Sequence, residues 1–328
     1  MSASLAVRET SHSPKPAIPL RVGTRASPLA LIQTRNFLKI LSGFCPVLKG
    51  MDVFIEHQIT TTGDAVQDRR LADIGGKGLF AKEIHEALAE GRIDFAVHSL
   101  KDLETNLPPE IVLACTLPRE DARDVLIPSP RCQVPNPGDP LSALPRGAVV
   151  GTCSVRRQSQ LLAARPDLRI VMLRGNVQTR LAKLREGQFD ATILALAGLR
   201  RLGMDIPGAL ILEPEVMVPS AAQGIVGVTV RTADSELRQL LGAIEDPEAR
   251  AISTAERALL AALDGSCRTP IGAYARMAPD GLRLTALLAR EDGSYKLTRS
   301  TFGPPADAEQ IGHELGMQLR AEAPPDLF

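Results

Sequence analysis

The chain has no tryptophan, and aromatic residues make up only 3% of its 328 positions. Proteins that hold single-stranded nucleic acid need aromatic faces on which bases stack, so that class is disfavoured. Its 38 basic and 38 acidic residues cancel, which removes the charge footprint of a nucleic-acid binder. No run of 18 or more apolar residues occurs, so no membrane-spanning helix is expected. The five cysteines (Cys45, Cys115, Cys132, Cys153, Cys267) are odd in number and include no CxxC pair. That gives no zinc framework and fits a reducing compartment. The histidines (His12, His57, His85, His98, His313) show no metal-ligand spacing, so no metal is expected. Residues 1–18 are mostly polar and lack the apolar stretch of a secretory signal. They read as a disordered tail on a cytoplasmic protein.

What is present is ample core material, 44% hydrophobic, in a length that suits two or three domains. The patterning predicts strands at 20–24, 52–58, 94–98 and 111–115, and helices at 28–41 and 79–90. Ser27 is placed to cap the first helix and Pro28 to open it. Residues 60–78 are polar and aperiodic, too long for an ordinary connection and therefore a candidate functional loop. The stretch 118–145, rich in Pro and Asp, reads as a boundary. Beyond it strands at 148–152, 169–173 and 191–194 alternate with helices at 155–164 and 177–186, which indicates βαβ units around a parallel sheet. After Pro247 a helix, a loop at 264–270, three strands and a final helix make a small α+β unit.

Charge is unevenly placed within this neutral chain. Between Gly147 and Met204 stand ten basic residues against Asp167, Glu186 and Asp190. Arg156, Arg157, Arg174, Arg180, Arg200 and Arg201 fall where strands hand over to helices, the end of a βαβ sheet at which ligands bind. Guanidinium groups crowded together repel unless an anion offsets them, and they grip carboxylate or phosphate in bidentate fashion. A ligand with several negative groups is the reading, with a solvated basic face as the alternative.

Among single residues, Asp102 ends a strand beside Lys101 and reads equally as a working carboxylate or a turn cap. Cys267 lies in a loop, DGSCRTP, and on local grounds is either a buried free thiol or a reactive one. Gly75-Gly76-Lys77-Gly78 lacks the Ser or Thr that completes a phosphate-binding loop. His98, on a buried-type strand, reads as a core histidine.

Eight segments in order resemble the porphobilinogen deaminase (hydroxymethylbilane synthase) family: GTRASPLAL at 23–31, IGGKGLF at 74–80, AVHSLKD at 96–102, GTCSVRRQ at 151–158, LRGNVQTRL at 173–181, LALAGLRRLG at 194–203, AAQGIVGV at 221–228 and DGSCRTPIG at 264–272. The resemblance implies a transferase of tetrapyrrole (heme, porphyrin) biosynthesis. Such an enzyme deaminates and condenses four porphobilinogen molecules stepwise onto a covalent dipyrromethane cofactor, releasing hydroxymethylbilane and ammonia. It implies a cytoplasmic monomer with no nucleic-acid or membrane partner. The implied fold is α/β, with two periplasmic-binding-protein-like (type II) domains around a cleft plus a small C-terminal α+β domain. The implied boundaries are 19–120 with 223–242 for a discontinuous first domain, 121–222 for the anion-binding second and 243–328 for the third. By the same resemblance Cys267 anchors the cofactor and Asp102 is catalytic. Lys101, Ser154, Arg156, Arg157, Arg180 and Asp102 hold the cofactor, while Arg25, Ser27, Gln33, Lys77, Phe80, Arg174 and Arg201 match substrate-binding positions. Three departures stand out: Asp73 where a basic residue is frequent, Leu103-Glu104-Thr105 where a proline usually follows the catalytic turn, and Ser266 beside the anchor. A non-catalytic anion-binding module of the same fold and a phosphoryl-transfer enzyme are the competing readings.

Overall fold

The computed structural model describes residues 18–49, 53–66, 78–132, 136, 138–264 and 270–327. Lys77, Asp73, Ser266 and Cys267 therefore lie outside the described residues, as do all but Ile18 of the N-terminal tail.

Three sheets organise the described residues. The first is built from β1 (Leu20–Arg25), β2 (Phe54–Ile59), β3 (Phe95–Ser99), β4 (Ile111–Thr116) and β10 (Val226–Arg231), in the order β2-β1-β3-β10-β4. The second uses β5 (Asp124–Pro128), β6 (Val149–Gly151), β7 (Arg169–Val171), β8 (Ala191–Ala195) and β9 (Leu210–Leu212), in the order β7-β6-β8-β5-β9. The two orders are the same pattern. In each, a parallel trio is completed by one antiparallel strand, β10 against β3 and β4, and β5 against β8 and β9. The third sheet is the antiparallel meander β11 (Ile271–Ala278), β12 (Gly281–Ala289) and β13 (Lys296–Gly303), covered by the helices Pro247–Ala262 and Ala308–Glu322. This is the expected α/β pair with a small α+β unit.

Two expectations need correction. The sheets are mixed rather than parallel, and the boundary stretch 118–145 contains β5, an inner strand of the second sheet. Asp124–Ile127 is buried along its length, so the strand has no polar face and no alternation to mark it. Its neighbours Pro118, Pro128 and Pro130 suggested a linker instead.

The local chemistry repeats at each strand end that matters. After β1, Ser27 accepts from the Ala30 amide and caps the helix Pro28–Phe44. After β6, Ser154 accepts from the Arg157 amide and caps the helix Val155–Ala164. Each cap satisfies one of the donors that a helix start leaves open.

The chain crosses between the sheets twice, and the two crossings are bound to each other. The Leu117 amide donates to Val226 O (3.0 Å), Glu120 to Gly224 O (3.0 Å), and Arg119 Nε to Gln223 O (2.8 Å). Gly224 sits at φ +90°, and a Cβ there would stand 2.2 Å from the Glu120 carbonyl oxygen. Only glycine tolerates both the conformation and the approach. The third unit is joined to this ribbon through the buried Glu256, which accepts from Arg119 Nη1 (2.8 Å), the Ala222 amide and the Ala275 amide (each 2.6 Å). Its core runs on into Leu100, Leu103, Ala221, Ala222 and Ile225.

Candidate active site

Strand β3 is buried until Ser99, apolar but for the core residue His98, and a short 3-10 turn, Leu100–Asp102, then presents its polar residues. Leu100 is buried in the core and anchors the turn. Asp102 is thereby held at a strand end, with about a quarter of its side chain exposed (27%). Arg25, at the end of the adjacent parallel strand β1, donates from Nη1 to Asp102 Oδ2 at 3.0 Å. The same guanidinium donates from Nε to Asp64 Oδ2 at 2.9 Å, and its carbon lies 4.2 Å from the centre of the Phe80 ring. Burial opposes the charge on Arg25, but the bonds to Asp64 and the nearby Asp102 charge outweigh it and raise its pKa above the ordinary value. Burial also works against the Asp64 carboxylate, yet Arg25 and Thr61 hold it below the usual carboxylate range. Asp64 was missed in the sequence because it stands in the aperiodic stretch at 60–78, without a pattern to single it out.

Lys101 turns the other way. Its Nζ donates to Gln223 Oε1 at 3.1 Å. Burial lowers its pKa to about 8, partly countered by Asp102 and reinforced by Arg157. Gln223 continues the network, donating from Nε2 to Ala122 O (2.7 Å) and to Asp124 Oδ1 (2.9 Å).

Asp124 is the second functional residue that the sequence did not reveal. It is fully buried (0% exposed) and accepts from both arginines of the SVRR turn, Arg156 Nη2 at 2.8 Å and Arg157 Nη2 at 2.7 Å. Arg156 also donates to Val218 O (2.6 Å) and Arg157 to Ile193 O (2.8 Å). Burial opposes the Asp124 charge, but the two guanidiniums overcome it and hold the carboxyl far below its usual range. Arg156 and Arg157, expected as ligand-gripping cations, thus have a structural partner that the expectation lacked. Arg157 Nε is buried without a hydrogen bond among the described residues.

The remaining expected cations approach from the second sheet and the crossing. Arg174 is buried and donates to Gly63 O at 2.6 Å, which joins the second domain to the loop beside Asp64. Arg180 donates from Nε to Gly175 O at 2.8 Å. Burial lowers its pKa to about 10, with Arg157 and Arg174 adding to the fall and Cys153 and Asp102 opposing it. Arg201 donates to Gly224 O at 2.6 Å, and burial lowers its pKa as well. Among the uncharged candidates, Gln33 is buried and accepts from Ser99 Oγ at 3.0 Å, while Ser27 and Ser154 are the helix caps already described. His98 is a core residue, bonded to Thr229 Oγ1 at 2.8 Å, with its pKa lowered to about 3 by burial.

These groups form a cluster of cations, of which burial depresses the pKa of Lys101, Arg156, Arg180 and Arg201, beside the Asp102 carboxylate, which among the described residues has Arg25 as its cationic partner. Such a cluster fits a ligand with several carboxylates, because each anion bound would relieve the mutual repulsion. The donor set therefore suits a dipyrromethane bearing acetate and propionate arms. Among the described residues no group of three or more His, Cys, Asp or Glu could hold a metal. No described helix is long and apolar enough to cross a membrane.

Comparison with known proteins agrees with this chemistry. Residues 20–239 match the family model described as "Porphobilinogen deaminase, dipyromethane cofactor binding domain", and residues 251–321 match "Porphobilinogen deaminase, C-terminal domain". The chain is 47% identical to the porphobilinogen deaminase of Paracoccus denitrificans over 97% of its own length and 99% of that protein's. It is 46% identical to the chloroplastic porphobilinogen deaminase of Oryza sativa, over 94% and 85% of the two lengths. Among solved structures it is similar to the periplasmic VFT2 domain of BvgS from Bordetella pertussis (TM-score 0.38, 14% identity, 72% of this chain and 92% of that one). Another is a putative periplasmic sulfonate-binding protein from Methylobacillus flagellatus (TM-score 0.36, 15% identity, 73% and 66%).

Proposed function

The chain belongs to the porphobilinogen deaminase family, and we propose that Asp102 is its catalytic carboxylate, with the cationic cluster as receptor for pyrrole side chains. It is a transferase that condenses porphobilinogen into the linear tetrapyrrole hydroxymethylbilane, using a dipyrromethane cofactor. When bound, that cofactor supplies the pyrrole end onto which substrate is added. We assign its thioether anchor to Cys267, on the resemblance of the DGSCRTPIG loop.

One observation carries the assignment of Asp102: it is the carboxylate at the end of β3, fixed by Arg25 through one oxygen and partly open to solvent. When porphobilinogen loses its amino group as ammonia, the C–N bond breaks and positive charge spreads over the pyrrole. The Asp102 oxygen left by Arg25, Oδ1, faces that charge and lowers the barrier electrostatically. The cofactor's terminal pyrrole would supply the nucleophilic α-carbon that meets this cation, and Asp102 is placed to accept the proton released as aromaticity returns. Arg25 orients the carboxylate, and Phe80 and Asp64 hold Arg25. Arg174, Arg180, Arg201 and Lys101 receive acetate and propionate arms as the chain lengthens. Ser27, Gln33 and Ser154 line the two strand ends, and Lys77 is assigned to substrate binding on the resemblance of the IGGKGLF segment alone.

The enzyme is proposed to act as a cytoplasmic monomer, without a nucleic-acid or membrane partner. The proposed domain limits are 19–120 with 223–242, 121–222 and 243–328. The grouping of strands into three sheets supports these limits.

The test is single-turnover elongation by correctly folded, cofactor-loaded Asp102→Asn. Loss of the charge should slow each addition roughly a hundredfold or more, with Asp102→Glu retaining more activity than Asp102→Asn. Elongation at close to the wild-type rate would show that Asp102 is structural.

A further inference from the structure

The turn after Asp102 departs from the family's usual proline, and the residue found there is tied to an element that supports the site. Arg257, on the helix Pro247–Ala262, clamps the turn's backbone, donating to Leu103 O (3.3 Å), Glu104 O (2.7 Å) and Thr105 O (3.1 Å). The Glu104 side chain then reaches away from the turn to the helix Lys82–Ala89. There its Oε1 lies 3.1 Å from Nδ1 of His85, a residue only 4% exposed. Burial works against its charge, but the bond from His85 and the nearby Arg257 charge hold its carboxyl below the usual range.

The same carboxylate lies against Gly78. A Cβ on Gly78, which has φ +74°, would stand 3.1 Å from Glu104 Oε1 and 3.2 Å from Oε2. Gly78 in turn starts the helix that carries His85, because its carbonyl accepts from the amides of Ala81 (2.8 Å) and Lys82 (2.9 Å). Between them, Leu79 O accepts from the Gly63 amide (2.8 Å), and the Phe80 ring stacks on Arg25. A closed circuit results: Asp102, its turn, Glu104, then Gly78 and His85, then Phe80, Arg25 and back to Asp102. The charged and titratable groups around the pair are Arg257, His98 on β3 (ring centres 6.2 Å from His85) and Glu83, which is bonded to Thr62. His85 Nε2 and Glu104 Oε2 are buried without hydrogen-bond partners among the described residues. Such atoms cost free energy, so propensity alone does not account for the pair.

We propose that Glu104, held by His85, is a positioning residue. It ties the Gly78 backbone to the turn that bears Asp102 and so sets the Phe80–Arg25–Asp102 stack. Where a proline would stiffen this turn from within, Glu104 fixes it from outside. The inference rests on the assignment of Asp102 above.

The test uses full-length enzyme whose cofactor loading is verified by intact mass. Its variants are Glu104→Gln, His85→Leu, the double variant and His85→Asn, whose amide can donate in place of Nδ1. A 1 Å misplacement at a distance from chemistry can cost up to a hundredfold, so loosening this contact should lower kcat roughly tenfold. KM should change much less. The double variant should be no slower than the worse single variant, and His85→Asn should recover most of the rate. Hydrogen exchange should speed up at the Ala81 and Lys82 amides in Glu104→Gln while helices elsewhere stay protected. Wild-type kcat in folded Glu104→Gln and His85→Leu overturns the proposal, as does a loss in stability with no change in kcat or in exchange at those amides. Asp102→Asn, run alongside, separates the two failures: wild-type elongation by that variant defeats the assignment of Asp102, whatever the Glu104 variants do.

Discussion

Replacing Asp124 with asparagine should be among the most damaging single changes outside the reacting groups. The substitution keeps the shape but removes the one acidic partner that Arg156 and Arg157 have among the described residues, and both are at least nine-tenths buried. Breaking a buried ion pair by removing one partner costs about 3–5 kcal/mol, because the other charge remains desolvated. At roughly 2 °C per kcal/mol for a long chain, the melting temperature should fall by about 6–10 °C. Urea unfolding, followed by circular dichroism, measures the loss directly. Its pH dependence gives an independent check. The Asp124 carboxyl is depressed in the folded state, so its contribution is complete above the unfolded carboxylate value of about 3.9 and fades as pH falls below that value. The gap between wild type and variant should therefore be constant from about pH 5 to 8 and narrow only in stronger acid. Adding Arg156→Met to Asp124→Asn should recover part of the loss, since one stranded charge is then gone. A loss under about 1 kcal/mol, or a gap that narrows near neutrality, would refute the reasoning.

Cys267→Ser should yield protein without the two-pyrrole mass adduct and without activity, while Cys153→Ser should retain both; a peptide map with the adduct on another cysteine would contradict the anchor assignment. Arg180→Leu removes a buried cation that has one backbone partner, so elongation should stall and intermediates accumulate on native gels, with a loss of at least 1.5–3 kcal/mol for each charged contact, roughly; a wild-type distribution of intermediates would argue against the anion receptor. Lys101, whose pKa is lowered to about 8, binds fewer protons folded than unfolded between about pH 8 and 10, so cofactor-free enzyme should gain stability across that window, and Lys101→Met should abolish the gain. Gly224→Ala forces a side chain against the Glu120 carbonyl at positive φ and should destabilise by on the order of 2 kcal/mol or more, read from the urea midpoint.

Much of this arrangement is legible in the residues, for identifiable reasons. The helices Pro28–Phe44 and Val155–Ala164 announce themselves through Ser27 and Ser154, because caps are local chemistry. The cluster of arginines signals an anionic ligand because charge is conspicuous in a neutral chain. Strand β5 is not legible, since its residues Asp124–Ile127 are buried in succession and Pro128 ends it, which leaves no alternation to read. The placing of a late segment among early strands, as with β10, is not a property of any window of sequence; only the resemblance pointed to a return near 223–240. Asp64, Asp124 and the His85–Glu104 pair escaped for one shared reason. Each acts through partners distant in the chain, at separations of 39, 32 and 19 residues, and spacing arguments do not reach that far.

The strand order of the first sheet also has a consequence for the order in which the chain is made on the ribosome. β4 meets its sheet only through β10, and 115 residues separate the end of β4 at Thr116 from the end of β10 at Arg231. At about 5–20 residues per second this is a wait of roughly 6–23 s, during which β4 has no neighbour to pair with. Meanwhile all five strands of the second sheet, 124 to 212, have emerged. The nascent protein should thus complete its middle before its beginning, and β4 and the open edge of β3 must be kept from mispairing until β10 arrives.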